Sequence, residues 1–114
     1  VLWGDGSPTR DFLFVENAAK GIILAAEKYD SELPLNLGSS EETSIMELSK
    51  LICELLDYNG SIVWDKTKPN GQPRRCISWQ RAKEEIGFEP TTKLKDGLKK
   101  TIQWFLANQE KNVK

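Results

Sequence analysis

Apolar positions recur along this chain with two different periods. Ala18, Ala19, Ile22, Ile23 and Ala26 fall three or four residues apart up to Tyr29, and Ile45, Leu48, Ile52, Leu55 and Leu56 do the same. That spacing places each set on one side of an α-helix. A shorter helical set follows in Trp79, Ala82 and Ile86, and a final one in Leu94, Leu98, Ile102, Phe105 and Leu106. About four helices are therefore expected. Between them lie brief runs without helical spacing: Val1-Leu2-Trp3, Phe12-Leu13-Phe14-Val15, Leu35-Asn36-Leu37-Gly38, Ile62-Val63-Trp64 and Arg74-Arg75-Cys76-Ile77. Flanking turn residues and β-branched or aromatic content predict short extended segments there. The fold class is α/β, a small mixed domain of short strands and helices.

Turn and cap residues set the punctuation. Gly4-Asp5-Gly6-Ser7-Pro8 is dense in turn formers, so the first two extended segments are expected to form a hairpin-like unit. Glu16 and Asn17 are placed to cap the first helix, whose alanines predict a face packed closely on a neighbour. The strand, helix, strand order up to Gly38 carries a βαβ signature, and one such unit needs further strands to build a covered parallel sheet. Ser44-Ile45-Met46-Glu47 matches a capping box, in which serine and glutamate satisfy each other's free amides. Ser78 and Thr92 are read as caps of the third and fourth helices, and Gly87 as the left-handed residue that ends the third. The tail from Asn108 is read as frayed.

Composition narrows the picture. With 114 residues the chain is one domain at most. A net charge of −1, from 16 basic and 17 acidic residues, offers no long-range attraction to nucleic acid, so any anion binding must be local. No apolar run approaches the roughly 20 residues of a membrane-spanning helix, and no signal-peptide pattern opens the chain, which reads as cytoplasmic and without membrane contact. There is no histidine, which removes most general-base, triad and zinc schemes. Cys53 and Cys76 form neither a CxxC pair nor a disulfide framework and read as reduced. The opening on Val1 and a strand-like segment reads as a piece of a longer polypeptide.

The candidate chemistry lies in Asp65 to Trp79. A polar loop stiffened by Pro69 and Pro73 and turned at Asn70-Gly71 delivers Arg74 and Arg75 into a short extended run. Arginine presents a planar fork of donors that matches phosphate or carboxylate oxygens in pairs, so a loop that places one points to a fixed anion such as a diphosphate. Alternation lets only one of the two arginines face a given site. Arg10 and Asp11, at the start of the second extended segment, likewise point to opposite faces, which leaves Arg10 free to meet a ligand. The plain alternative is that these arginines are rim charges in surface ion pairs and that Lys95, Lys99 and Lys100 form a solvated stripe. A rival of another class is a non-enzymatic protein-interaction module, in which the arginines make ion pairs and the lysine-rich face of the last helix meets a protein partner.

Three ordered stretches carry a resemblance: Trp3 to Val15, Asn36 to Ser39, and Lys68 to Arg75. They resemble the C-terminal, substrate-binding part of the NAD(P)-dependent nucleotide-sugar epimerases and dehydratases, the extended short-chain dehydrogenase/reductases. The resemblance implies a Rossmann-type parent whose N-terminal part, absent here, binds NAD or NADP through a glycine-rich turn and a Tyr-x-x-x-Lys pair. It implies that residues 1–40 pack on the missing Rossmann sheet, that 41–108 form the core of the substrate domain, and that the parent is a homodimer through the missing half. It further implies that Arg10 and Arg75, or Arg74, contact the diphosphate of a nucleotide-diphosphate sugar, that Trp3 lines the nucleotide side, and that Asn36 borders the cleft. UDP-glucose 4-epimerase and dTDP-glucose 4,6-dehydratase types belong to the same set of expectations. Gly4-Asp5-Gly6 lacks the third glycine of a cofactor fingerprint, and neither Tyr29 nor Tyr58 has a lysine four residues on. Taken alone, these residues are expected to be inactive. The chain also departs from the family pattern, with Glu16-Asn17 for two aspartates, Ser78 for an aspartate, and Lys95 for an acidic residue.

Overall fold

A computed structural model describes residues 1–109. The elements are β1 (Leu2–Trp3), β2 (Thr9–Asp11), α1 (Val15–Lys28), β3 (Glu42–Ser44), α2 (Ile45–Leu55), β4 (Trp64–Asp65), β5 (Arg74–Arg75), α3 (Gln80–Ile86) and α4 (Leu94–Asn108). The mixed α/β fold with four helices and short strands is the one expected. Its strands form two small sheets, β1 beside β4 and β2 between β3 and β5. Strand β3 is antiparallel to β2, whereas β4 and β5 run parallel to β1 and β2.

The segment from Leu2 to Asp11 therefore runs alongside the segment from Trp64 to Arg75 as one parallel ribbon. Bonds between the strands hold it together: Gly4 N–H donates to Asp65 O at 2.9 Å and Thr9 N–H to Pro73 O at 2.9 Å. Asp5 N–H donates to Asn70 Oδ1 at 2.8 Å. This corrects the hairpin expectation. The turn residues do not fold β1 back on β2, because each strand finds its partner near residues 64–75 instead. The turn is also fixed from below by α2, whose Ile45 and Met46 amides donate to Pro8 O and Gly6 O, each at 3.0 Å.

Two further strand assignments are revised. The second strand is Thr9–Asp11 rather than Phe12–Val15, and Leu35–Gly38 forms no strand. The antiparallel partner of β2 is the polar Glu42-Thr43-Ser44, so the order β2, α1, β3 is not a parallel βαβ crossover. A strand at a sheet edge needs backbone pairing, and an apolar pattern is optional there.

The helices hold one compact core. Ala82, Ile86 and Phe88 are buried, with Leu13, Leu24, Ala25, Tyr29, Leu35, Leu37 and Trp79 against them. Helix α1 thus turns Leu24 and Ala25 inward, and the expected stripe faces outward instead, with Ile22 63% and Ile23 58% exposed. Asn17 does not cap α1. It is buried in the first turn, where Nδ2 donates to Thr91 Oγ1 at 3.2 Å and Oδ1 accepts from Thr92 N–H at 3.2 Å. Phe14 occupies the cap position, and Glu16 bonds Lys100 at 3.1 Å. Lys93, not Thr92, takes the cap position of α4, one residue later than expected.

The capping box of α2 forms as expected, with Glu47 N–H donating to Ser44 Oγ at 3.1 Å and Glu47 Oε2 accepting from Ser44 N–H at 2.8 Å. Its apolar stripe is half-buried, since Leu48 and Ile52 line a cleft of about 330 Å³ against Phe12, Phe14, Leu94 and Leu98. Ser78 Oγ accepts from Gln80 N–H at 3.3 Å, one position earlier than expected, because Trp79 holds the cap position of α3. Gly87, at φ 71°, ends α3 in the left-handed region. The acidic residue that Lys95 replaces is compensated by Glu54 on α2, 2.7 Å away. Helix α4 continues through Asn108, and residues 110–114 of the tail lie outside the described residues. No helix among the described residues is long and apolar enough to cross a membrane.

Candidate anion-binding face

The three-stranded sheet divides the candidate residues by register. Thr9 pairs with Ser44 and Arg74, Arg10 with Thr43 and Arg75, and Asp11 with Glu42. Paired residues share a face and successive residues alternate. One face therefore carries Thr9, Asp11, Glu42, Ser44 and Arg74; the other carries Thr43, Arg10 and Arg75.

The first face is closed on itself. Arg74 Nε donates to the two Glu42 carboxylate oxygens at 3.0 and 2.9 Å, and Nη2 adds a further bond to Oε1. Thr9 Oγ1 donates to Glu42 Oε2 at 2.9 Å, so the network spans all three strands. The Arg74 hydrogen bonds, with Thr9 second, hold the Glu42 carboxyl below its ordinary value, and Glu42 in turn raises Arg74. Asp11 Oδ2 accepts from Ser39 N–H at 3.0 Å, and Ser40 Oγ donates to Ile77 O at 3.1 Å. These two bonds seat residues 38–40 on the ends of β2 and β5. A Cβ at Gly38 would lie 2.5 Å from Ile77 O and 2.7 Å from Asp11 Oδ2, which is why a glycine stands there.

The opposite face is open. Arg10 and Arg75 are register neighbours on strands about 4.8 Å apart. Arg10 Nη1 donates to Thr9 O at 2.7 Å, and among the described residues neither arginine has a carboxylate partner. Two like charges held side by side repel, and an anion set between them turns that repulsion into a favourable site. The rim-charge alternative thus describes Arg74 but not Arg10 or Arg75. Trp3 lies in the other sheet, exposed, with Lys68 Nζ 5.6 Å from its ring centre. Asn36 is exposed two residues before Gly38. None of the three apolar clefts described is lined by Trp3, Arg10, Asn36, Arg74 or Arg75, so the candidates form an open surface rather than a pocket. Glu42 and Thr43 were not singled out from sequence. Their only signal is a β-branched threonine just ahead of the capping box.

Two rival anion sites are closed. Gly4 and Gly6 have φ of 79° and 77°, but a Cβ there would strike Asn70 Oδ1 at 2.1 Å and the Trp64 ring at 2.6 Å. Protein atoms fill the space that a dinucleotide phosphate would need, so these residues do not fit a nicotinamide cofactor. The first turn of α2 spends its amides on Pro8, Gly6 and Ser44.

Residues 1–38 match the NAD dependent epimerase/dehydratase family. The chain is 37% identical to GDP-L-fucose synthase of Sinorhizobium fredii over 97% of this chain and 35% of that protein. The likeness is to GDP-L-fucose synthases. A GDP-L-fucose synthetase from Naegleria fowleri bound to NADP superposes with TM-score 0.88 at 32% identity, over 98% of this chain and 36% of that one. UDP-glucose 4-epimerase of Thermotoga maritima with UDP-glucose gives 0.87 at 31%, over 95% and 35%. The chain thus spans about a third of the length of the relatives it matches. The family resemblance carried by Trp3–Val15, Asn36–Ser39 and Lys68–Arg75 is met in both sequence and shape.

Proposed function

We propose that these residues are the nucleotide-diphosphate-sugar-binding portion of an NAD(P)-dependent nucleotide-sugar epimerase/reductase of the GDP-L-fucose synthase kind. The observation that carries the reading is the Arg10–Arg75 pair, two guanidinium groups in register with no carboxylate to neutralise them. They clamp the diphosphate, Trp3 lines the nucleotide, and Asn36 borders the sugar side. The nicotinamide cofactor, which supplies hydride transfer, and the acid/base groups belong to the remainder of a longer protein.

The looseness of the fold supports this. Its radius of gyration is 16.9 Å, against about 13 Å for a compact domain of this size. Residues 1–40 carry the exposed Val15, Ile22 and Ile23, a surface suited to a larger body, while the fully buried Ala82, Ile86 and Phe88 lie in 41–108.

Affinity for a GDP-sugar tests the clamp. Arg10→Ala and Arg75→Ala in the longer protein are each expected to weaken binding about tenfold or more, the cost of one charge-assisted contact. Arg74→Ala is expected to leave affinity within about twofold, because its charge is already spent on Glu42. Unchanged affinity in both of the first two variants would sink the reading.

A further inference from the structure

We infer that Thr43 is a third anion-binding residue, whose hydroxyl completes a row of donors with Arg10 and Arg75 across the sheet. The inference rests on the reading of that face as a diphosphate site. Strand β3 places Thr43 directly opposite Arg10, and β5 places Arg75 on Arg10's other side. Register partners share a face, so the three side chains stand in a row perpendicular to the strands, spanning about 10 Å. The opposite face checks this alternation independently. Glu42 and Arg74, the chain neighbours of Thr43 and Arg75, reach each other over Thr9 on that side.

The chemistry of the row is uniform. Arg10 and Arg75 are donors only, and a threonine hydroxyl supplies one more proton. Among the described residues no hydrogen bond occupies the Thr43 hydroxyl, whereas the neighbouring Ser44 hydroxyl is engaged with Glu47. The acidic groups nearest in sequence are engaged elsewhere, Glu42 with Arg74, Glu41 with Lys93 and Glu47 with Ser44. A phosphoryl oxygen held by Arg10 lies within reach of Thr43, while one held by Arg75 does not, because Arg10 stands between them. The hydroxyl therefore adds a donor to the phosphoryl group held by Arg10, and Arg75 takes the second of two linked groups.

Inorganic pyrophosphate and inorganic phosphate are the probes, titrated into the full chain while the arginine Nε–Hε resonances are followed. Pyrophosphate is expected to shift both Arg10 and Arg75. Thr43→Val, which keeps β-branching and so the strand, is expected to weaken both pyrophosphate and the phosphate held by Arg10 about fivefold. Thr43→Ser is expected to restore binding to within about twofold of wild type. If Thr43→Val binds as wild type while Arg10→Ala and Arg75→Ala lose affinity, Thr43 is no donor and the arginine clamp stands. If Thr43→Ser fails as badly as Thr43→Val, shape rather than the hydroxyl is at work and the inference falls. If pyrophosphate moves neither arginine, both the inference and the proposed diphosphate site fall together.

Discussion

Arg74 and Arg75 are chain neighbours of the same type in the same two-residue strand, yet the fold uses them in opposite ways. Arg74 meets a carboxylate from the far strand and is neutralised within the sheet. Arg75 meets another arginine and has no carboxylate among the described residues. The difference is one step of strand alternation. It shows how a small sheet can neutralise one arginine and leave its neighbour without a carboxylate: the ion pair on one face fixes the register, and the register fixes the charge pair on the other. A slip of one residue in β5 would exchange the two roles.

The strongest way to break both faces together is at Gly38. A side chain there would enter the 2.5 Å space before Ile77 O and the 2.7 Å space before the Asp11 carboxylate, both of which anchor the ends of the strands. Gly38→Val is expected to lose about 2 kcal/mol, within the usual range for overpacking a tight site, and to lower Tm by about 10 °C. Thermal unfolding followed by circular dichroism measures it. An unchanged Tm would mean that residues 38–40 move aside freely and do not pin the ends of β2 and β5.

How much of this was legible in the sequence depends on what each residue answers to. The capping box at Ser44–Glu47 and the left-handed Gly87 were readable because local backbone chemistry decides them. The four helices followed from spacing. The sequence pattern failed for α1, where its strongest stripe turned outward and Leu24 and Ala25 turned in, because periodicity identifies a helix face but not its neighbour. Asn17 looked like a cap and became a buried bridge to residues 91–92, a long-range contact that no local rule anticipates. Arg10, Arg74 and Arg75 were identified as residues, but their division into a closed and an open face required the register of β3. That strand is Glu-Thr-Ser, which carries no apolar signal.

A smaller effect sharpens the comparison at the junction where β3 becomes α2. Ser44→Ala removes the hydroxyl that accepts the Glu47 amide at 3.1 Å, and N-cap losses of this kind cost about 1 kcal/mol. Hydrogen exchange should speed at Glu47 and in the rest of the first turn of α2. The Thr9 amide, bonded to Pro73 O at 2.9 Å on the other side of β2, should change little. Equal acceleration at both places would show that β3 and β5 are not held separately and that the cap supports the whole sheet.

The smallest effect isolates the closed face by pH. Glu42 is held below its ordinary value of 4.5 chiefly by the Arg74 hydrogen bonds, so its contribution to stability is present above that value and is lost as pH falls through its lower folded value. Glu42→Gln removes this contribution at every pH. The variant should therefore melt below wild type at neutral pH, and the two curves should converge in acid, below 4.5. Glu47, Asp5 and Glu54 are lowered by other partners, so both proteins should still lose stability in acid; the readout is the difference between them and not the loss itself. Both groups of the ion pair are exposed, which keeps the expected difference small and makes it shrink with added salt. A difference that persists unchanged into acid would mean that Glu42 acts through its backbone or its packing. The register at Arg75 would then be held by β-strand pairing alone.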